Sequence, residues 1–147
     1  MTAESELREG ALRLLVRREH TRSELTRKLT SRGHDPDAVA RLLDELAAEG
    51  LQSDLRFARE HLRSRMERGY GPRKILAELS KRGVSRIQAA RVLEEAEVDW
   101  GAVAQQVYRD RFGPETPAPQ DRKERARRWR SMERRGFTAA SIAPLLE

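Results

Sequence analysis

The stretch Lys81-Arg82-Gly83-Val84-Ser85 ends one helical pattern and begins the next, and its plan occurs three times in the chain. The other two copies are Arg32-Gly33 followed by Asp35, and Arg135-Gly136 followed by Thr138. Glycine commonly ends a helix, and Asp, Ser or Thr commonly begins one. In every copy an apolar or small residue stands six positions after the glycine, and a pair of apolar residues follows at nine and ten. A period of about fifty residues predicts a repeat protein whose units bury apolar faces on each other.

The composition indicates small helical units and not one large core. Of 147 residues, 37% are hydrophobic and 37% are charged. Apolar residues recur every three or four positions among the charged ones, which is typical of helices with one solvated face. No segment shows the alternation of a strand. We therefore predict an all-α fold of three tandem three-helix modules, at 1–50, 51–98 and 99–147, stacked into an elongated and curved array.

Local patterns place the helices within these modules. Thr21-Arg22-Ser23-Glu24 is a capping box that begins the second helix. The fifth helix is expected to bury Ile75, Leu76 and Leu79, and the eighth to turn Trp129 and Met132 inward. The segment 113–120 contains Pro114, Pro117 and Pro119, so we predict a linker there that acts as a hinge and exchanges its amide hydrogens quickly.

Enzymatic chemistry finds no support in the sequence. The chain has no cysteine, and its three histidines lack the spacing of metal ligands. Gly-rich phosphate loops and nucleophile elbows are also missing. We therefore expect a binding protein with no catalytic residue, no cofactor and no metal. The absence of a signal peptide or an apolar span favours a cytoplasmic protein that is not in a membrane, and we expect a monomer.

The net charge of +6 and the pI of about 10.4 favour an anionic partner, although a bias toward arginine codons explains the excess equally well. Two basic patches are candidate contacts for phosphates, as in DNA, or for an acidic protein groove. One surrounds the rigid turn Gly69-Tyr70-Gly71-Pro72, and the other lies on the eighth helix. Both have a plainer interpretation, as solvated faces with Tyr70 and Trp129 packed inward. The candidate residues are Arg63, Arg68, Tyr70, Arg73 and Lys74 in the first patch, and Arg122, Arg125, Arg128 and Arg130 in the second.

The middle of the chain resembles the RecX family of recombinase regulators. The segments that carry the resemblance are Asp54-Leu55-Arg56-Phe57-Ala58, Arg68-Gly69-Tyr70-Gly71-Pro72-Arg73-Lys74-Ile75 and Lys81-Arg82-Gly83-Val84-Ser85. The resemblance extends to Arg17-Arg18-Glu19-His20 on one side and to Arg134-Arg135-Gly136-Phe137 on the other. The family commonly has an aromatic residue and a second acid where Leu51 and Ser53 stand, so a second carboxylate has no predicted role there.

The resemblance implies three three-helix repeats and a partner. That partner is the RecA recombinase, in its filament on single-stranded DNA, whose strand exchange, ATP hydrolysis and coprotease activity the family inhibits. Direct contact with single-stranded DNA is a further expectation. The competing hypothesis is a helix-turn-helix transcriptional regulator, because three-helix units with short turns also bind DNA.

Overall fold

The computed structural model describes residues 2–113 and 118–147 of the chain. Within those ranges the predicted all-α class is confirmed, because every regular element is a helix. The helices are α1 (Ala3–Arg17), α2 (Arg22–Ser31), α3 (Pro36–Ala48), α4 (Asp54–Glu67), α5 (Pro72–Lys81), α6 (Arg86–Ala96), α7 (Trp100–Phe112), α8 (Arg122–Arg134) and α9 (Ala139–Leu146).

The chain forms two compact units, and each has its own core. The first unit comprises Met1–Glu60 with Leu79–Ala89, and the second comprises His61–Glu78 with Ala90–Glu147. Helices α4, α5 and α6 therefore contribute residues to both. The proposed module boundaries at residues 50/51 and 98/99 stay a prediction.

The core of the first unit joins α1, α2 and α3. Their amphipathic faces supply buried residues at helical spacing, as the sequence predicts. The buried members are Leu7, Ala11, Leu14, Leu25, Leu29, Val39, Leu42, Leu43 and Leu46. Asp35 caps α3 by accepting from the Ala38 amide, and Pro36 fills the first turn of the helix.

The core of the second unit is built by α7, α8 and α9. Its buried members are Ala104, Val107, Tyr108, Met132, Phe137, Ile142 and Leu146. Met132 is fully buried, as expected, whereas Trp129 is half-buried at the edge of this core. Gly113 ends α7 with a φ of +97°, and Ala118 packs on the same core. The predicted hinge falls mainly on 114–117, which lie outside the described residues.

One predicted core residue of α5 is exposed. Ile75 and Leu79 are completely buried, but Leu76 is 36% exposed. Leu76 follows Ile75 directly, so it lies about 100° around the helix from Ile75 and to one side of the buried stripe. Apolar character alone does not distinguish these neighbours.

The three Arg-Gly motifs have the same backbone structure, and we call them the first corner (Arg32-Gly33), the second corner (Arg82-Gly83) and the third corner (Arg135-Gly136). The three glycines have φ values of +93°, +89° and +100°. In each corner the residue after the glycine donates its amide hydrogen to the carbonyl five positions back, at 3.3, 3.0 and 3.3 Å in chain order. This is the Schellman motif, in which a left-handed glycine ends a helix.

Candidate partner-binding surfaces

The turn at Tyr70 connects α4 to α5, and its backbone is fixed at both ends. Gly69 has a φ of +79°, and the Tyr70 amide donates to the Arg65 carbonyl at 3.0 Å. Pro72 then begins α5 with its φ already near the helical value. Tyr70 is half-buried.

The third corner packs backbone to backbone against this turn. The Gly71 amide donates to the Arg135 carbonyl at 2.7 Å, and the Arg73 amide donates to the Gly136 carbonyl at 2.9 Å. A Cβ added to Gly71 would lie 2.6 Å from the carbonyl carbon of Gly136. Gly71 and Gly136 are therefore both glycine because the backbone of the turn touches the backbone of the third corner.

The Arg135 side chain closes the same contact. Its Nε donates to the Gly69 carbonyl at 3.0 Å and its Nη2 to the Arg68 carbonyl at 2.7 Å. Its guanidinium lies 5.1 Å from the centre of the Tyr70 ring. Arg135 is not among the predicted site residues, although it is the basic residue before the glycine in the third copy of the repeat.

Two more cations surround the Tyr70 ring. Lys74 Nζ lies 4.4 Å from the ring centre, and the Arg65 guanidinium lies 5.7 Å from it. Arg65 also lies 3.0 Å from Glu78, which offsets its charge. Lys74 and Arg135 therefore supply most of the positive charge at the ring.

Of the predicted residues of the first patch, Lys74 contacts the Tyr70 ring, and Arg68 and Arg73 stand close to the turn in the chain. Arg63, Arg68 and Arg73 are exposed, and Lys74 is half-buried against Tyr70. We call Arg63, Arg68, Tyr70, Arg73 and Lys74 the Tyr70 surface. A ring held between cations, with exposed guanidinium groups beside it, fits carboxylates or phosphates.

The predicted basic residues of α8 divide into two kinds. Arg128 donates to the Tyr108 hydroxyl and to Glu124, both at 2.9 Å, and lies 4.9 Å from the Phe112 ring centre. Arg125 donates to the Leu146 carbonyl. Both side chains therefore stabilise the packing of α8 within its unit.

The other two predicted arginines of α8, Arg122 and Arg130, are exposed. Glu124 lies between them in the helix. Hydrogen bonds from Arg127 and then from Arg128 lower the pKa of Glu124 to about 2, so its carboxylate is ionised at neutral pH and reduces the net positive charge of the helix. The i,i+4 spacing of Glu124 and Arg128 is visible in the sequence, but the Tyr108 hydroxyl that holds Arg128 is not.

The second corner packs against the start of α2 in the first unit. The Thr21 hydroxyl donates to the Arg82 carbonyl at 2.5 Å, and Arg82 Nη1 donates to Glu24 at 2.9 Å. A Cβ added to Gly83 would lie 2.6 Å from the Ser23 hydroxyl oxygen. Thr21 and Gly71 both stand twelve residues before a corner glycine, so the two contacts occupy equivalent places in the repeat.

Glu24 is the buried charge of this contact. It is 3% exposed and accepts hydrogen bonds from Arg18, from the Thr21 amide and from Arg82. Burial by itself raises the pKa of Glu24, but these hydrogen bonds and the charge of Arg18 lower it to about 2. The carboxylate therefore stays ionised at neutral pH.

His20 and Lys28 continue the polar network next to Glu24. His20 Nδ1 lies 3.0 Å from the Arg18 carbonyl, and Lys28 Nζ lies 3.0 Å from His20 Nε2. Burial lowers the pKa of His20, so the ring is neutral, donating from Nδ1 and accepting from the ammonium.

Two other kinds of feature are absent from the described residues. None of their helices is both long enough and apolar enough to cross a membrane. Among the same residues, no group of three or more His, Cys, Asp or Glu side chains is placed to bind a metal ion.

Comparison with known proteins assigns the chain to a family. It matches two family models, described as RecX, first three-helix domain, over residues 5–46, and RecX, second three-helix domain, over residues 53–93. This chain belongs to the RecX family. Regulatory protein RecX of Halorhodospira halophila is 51% identical over 140 residues, which are 95% of this chain and 86% of the relative. The RecX regulatory protein of Chromohalobacter salexigens is 48% identical over 136 residues, 92% of this chain and 88% of the relative.

Solved RecX structures share the fold. The crystal structure of RecX from Lactobacillus salivarius superposes with a TM-score of 0.78, over 97% of this chain and 94% of that one. Its sequence is 23% identical. The RecX fold is therefore shared with a protein whose sequence differs at most positions.

Proposed function

We propose that this RecX-family protein binds the RecA recombinase filament on single-stranded DNA and inhibits its strand exchange, ATP hydrolysis and coprotease activity. It acts in the cytoplasm as a binding regulator without a cofactor, and not as an enzyme. The names of its relatives support a regulatory role. The observation that carries the proposal is the Tyr70 surface, where exposed arginines flank a ring that is framed by cations.

Rigidity makes the Tyr70 surface suitable for binding. Two backbone hydrogen bonds and the Arg135 side chain hold the turn before any partner arrives. Binding therefore loses little conformational entropy in the backbone. Arg68 and Arg73 project from this fixed turn as exposed groups, and each guanidinium can bind a carboxylate or a phosphate in a bidentate manner.

The helix-turn-helix alternative receives less support from the third helices of the modules. In three-helix DNA readers the third helix enters the major groove. Here α3 carries one arginine against three acids, α6 two arginines against two acids, and α9 no charged residue. Such helices lack the positive charge with which DNA readers approach phosphates.

A recombinase ATPase assay on single-stranded DNA tests the proposal. The test variant is the pair Arg73→Ala and Lys74→Ala, which keeps the Lys74 Cβ that packs beside Gly136. The control pair, Arg27→Ala and Arg41→Ala, removes the same charge from exposed sites in the first unit. We expect the test pair to raise the half-inhibitory concentration about tenfold, as for central interface residues, while the control pair stays near wild type. A wild-type protein that leaves ATP hydrolysis unchanged contradicts the proposed function.

A salt titration tests the α8 arginines separately. Arg122→Glu with Arg130→Glu changes the exposed pair, whereas Arg125 and Arg128 have partners inside the second unit. The measured quantity is the affinity for recombinase filaments on single-stranded DNA. Each phosphate that the variant no longer neutralises should reduce the slope of log affinity against log salt concentration by about 0.7 for a single strand. Lines that stay parallel to wild type mean that Arg122 and Arg130 touch no phosphate. Helicity measured by circular dichroism is the control.

A further inference from the structure

The first corner has the backbone of the other two corners but, among the residues that the structure describes, none of their contacts. Gly33 has a φ of +93°, and the Gly33 and His34 amides donate to the Thr30 and Leu29 carbonyls as in the other corners. Arg32 and Gly33 are exposed, and a Cβ added to Gly33 would meet nothing within 4 Å. At Gly83 and Gly136 the same added atom collides with the start of a helix.

The two occupied corners show what such a corner binds. In both, the arginine carbonyl accepts a hydrogen bond from the residue that caps a helix, Thr21 or Gly71. The arginine side chain then reaches acceptors on or beside the same turn, which are Glu24 for Arg82 and two carbonyls for Arg135. The complement of a corner is therefore a helix N-terminal turn with a donor at its cap and an acceptor for a guanidinium.

The residue after the glycine distinguishes the first corner from the others. Val84 and Phe137 are buried at this position, with exposures of 4% and 1%. His34 occupies it in the first corner and is half-buried. A polar residue there suits a corner that is in water in the unbound protein.

We propose that the first corner is a docking element for the N-terminal turn of a helix on the recombinase. This inference rests on the proposed function and extends it to the first unit. The partner turn carries a hydrogen-bond donor at its cap and a carboxylate or carbonyl within reach of Arg32. The left-handed φ of Gly33 already favours glycine, and a docked backbone would exclude a side chain there as well, as at Gly71 and Gly136.

The turns of a second copy that hold the equivalent repeat position, those that begin α2, α5 and α8, fit the first corner poorly. The turns that begin α2 and α5 are already filled by the second and third corners. The turn that begins α8 is capped by the Asp121 carboxylate, which accepts from the Lys123 amide, and its Glu124 is bound by Arg127 and Arg128. The Asp121 carboxylate cannot donate as the Thr21 hydroxyl does, and, unlike Gly71, Asp121 brings an anionic side chain to the place where the Arg32 carbonyl would dock.

The test variant is Gly33→Asn, and the chain offers a matched control in Gly50→Asn. Asparagine is the residue that best replaces glycine in the left-handed conformation, so both variants should fold. Gly50 ends a helix of the same unit with a φ of +76°, and a Cβ added there also meets nothing within 4 Å. A second pair, Arg32→Ala and Arg27→Ala, compares the corner arginine with another exposed arginine, which lies on α2.

The measurement is equilibrium binding of fluorescently labelled full-length protein to recombinase filaments on single-stranded DNA, and to the same DNA alone. We expect Gly33→Asn and Arg32→Ala each to weaken filament binding about tenfold, as for residues at the centre of an interface, and the controls to change it less than about twofold. Melting temperatures should agree within each pair of variants.

The other outcomes overturn the docking proposal in distinguishable ways. If only Arg32→Ala weakens binding, and binding to DNA alone falls in parallel, Arg32 contacts phosphate and no helix turn is bound. If Gly33→Asn binds as well as Gly50→Asn, the corner is not an interface. If wild type binds and the Arg73/Lys74 pair lowers its affinity while both corner variants do not, the docking element fails and the proposed function stands. If wild type does not bind the filament, both fail together.

Discussion

The second and third corners share one backbone geometry, yet they are held by different chemistry. In the first unit the contact centres on a buried carboxylate, Glu24, with Arg82 as one of its partners. In the second unit Arg135 donates to main-chain carbonyls and lies over the Tyr70 ring. The repeat therefore specifies where a helix end meets a helix start, while the side chains decide how the contact responds to pH and substitution.

The largest effect should come from breaking the backbone contact of the third corner. Gly71→Ala places a methyl group 2.6 Å from the Gly136 carbonyl carbon and 2.7 Å from the Phe137 nitrogen, and these main-chain atoms cannot rotate away. Gly71 does not have a positive φ, so the substitution tests close approach alone. We expect a loss of about 3 kcal/mol in the free energy of unfolding, as for strong overpacking.

Urea unfolding measures this loss, and Gly101→Ala is its control. Gly101 lies inside α7 of the second unit, and an added Cβ would be 3.4 Å from an Asp99 carboxylate oxygen. Alanine should stabilise that helix by up to about 1 kcal/mol. If Gly71→Ala is no less stable than wild type, the close contact with the third corner is not present in solution.

The sequence predicted the helix ends at the corners but not the contacts that they make. Glycine and the following Asp, Ser or Thr act locally, so Gly33, Gly83 and Gly136 could be read as helix ends. The contact between Gly71 and Gly136 joins positions far apart in the chain, so no local sequence pattern predicts it. The only available signal was the recurrence of arginine before each glycine, together with the equal spacing of Thr21 and Gly71 from the corner that follows each.

The candidate site was predictable to a similar extent. Composition and the rigid turn indicated Tyr70 and its exposed neighbours Arg68 and Arg73, whose role in binding stays a prediction, but the cations that contact the ring are Arg65, Lys74 and Arg135. Charge density on α8 could not separate Arg128, which binds the Tyr108 hydroxyl, from Arg130, which is exposed. That difference depends on packing between helices and not on the residue type.

The second largest effect should be acid sensitivity at the second corner. The pKa of Glu24 is lowered to about 2 from an ordinary value of 4.5, so its ionised form stabilises the folded state above about pH 4.5. This stabilisation is lost progressively as the pH falls toward 2, when the carboxylate takes up a proton. Glu24→Gln should cost about 2 kcal/mol at neutral pH, because Arg18 and Arg82 lose a charged acceptor.

The pH profile of unfolding is the measurement. Wild type should lose stability between about pH 4.5 and 2 more steeply than Glu24→Gln, so the two curves converge in acid. Glu9→Gln removes an exposed carboxylate that lies 3.7 Å from Arg13, and its curve should run parallel to that of wild type. Curves for wild type and Glu24→Gln that stay parallel throughout would show that Glu24 is not the acid-sensitive group.

A smaller effect is expected at the Tyr70 ring. Tyr70→Ala removes a half-buried ring and three cation contacts, and we expect it to cost about 1.5 kcal/mol. Tyr70→Phe keeps the ring and should be near neutral. Hydrogen exchange at the Gly71 and Arg73 amides, which donate to the third corner, measures the local loss. Equal losses in both variants would assign the stabilisation to the hydroxyl and contradict a role for the ring face.

The smallest effect, and the most direct comparison of the two corners, comes from exchanging arginine for lysine in each. Arg135 donates from Nε and Nη2 to two carbonyls. The single ammonium group of a lysine cannot donate to both carbonyls in the planar geometry of a guanidinium. Arg82 donates from Nη1 to a carboxylate, which lysine can still bind as a point charge. Arg135→Lys should therefore destabilise the protein by about 1 kcal/mol more than Arg82→Lys, which is the net worth of one hydrogen bond. Urea unfolding of both variants at neutral pH gives the difference. Equal losses, or a larger loss at Arg82, would mean that the charge at Glu24 dominates and that the geometry of the Arg135 fork contributes little. In that case the two corners would differ in their pH response alone.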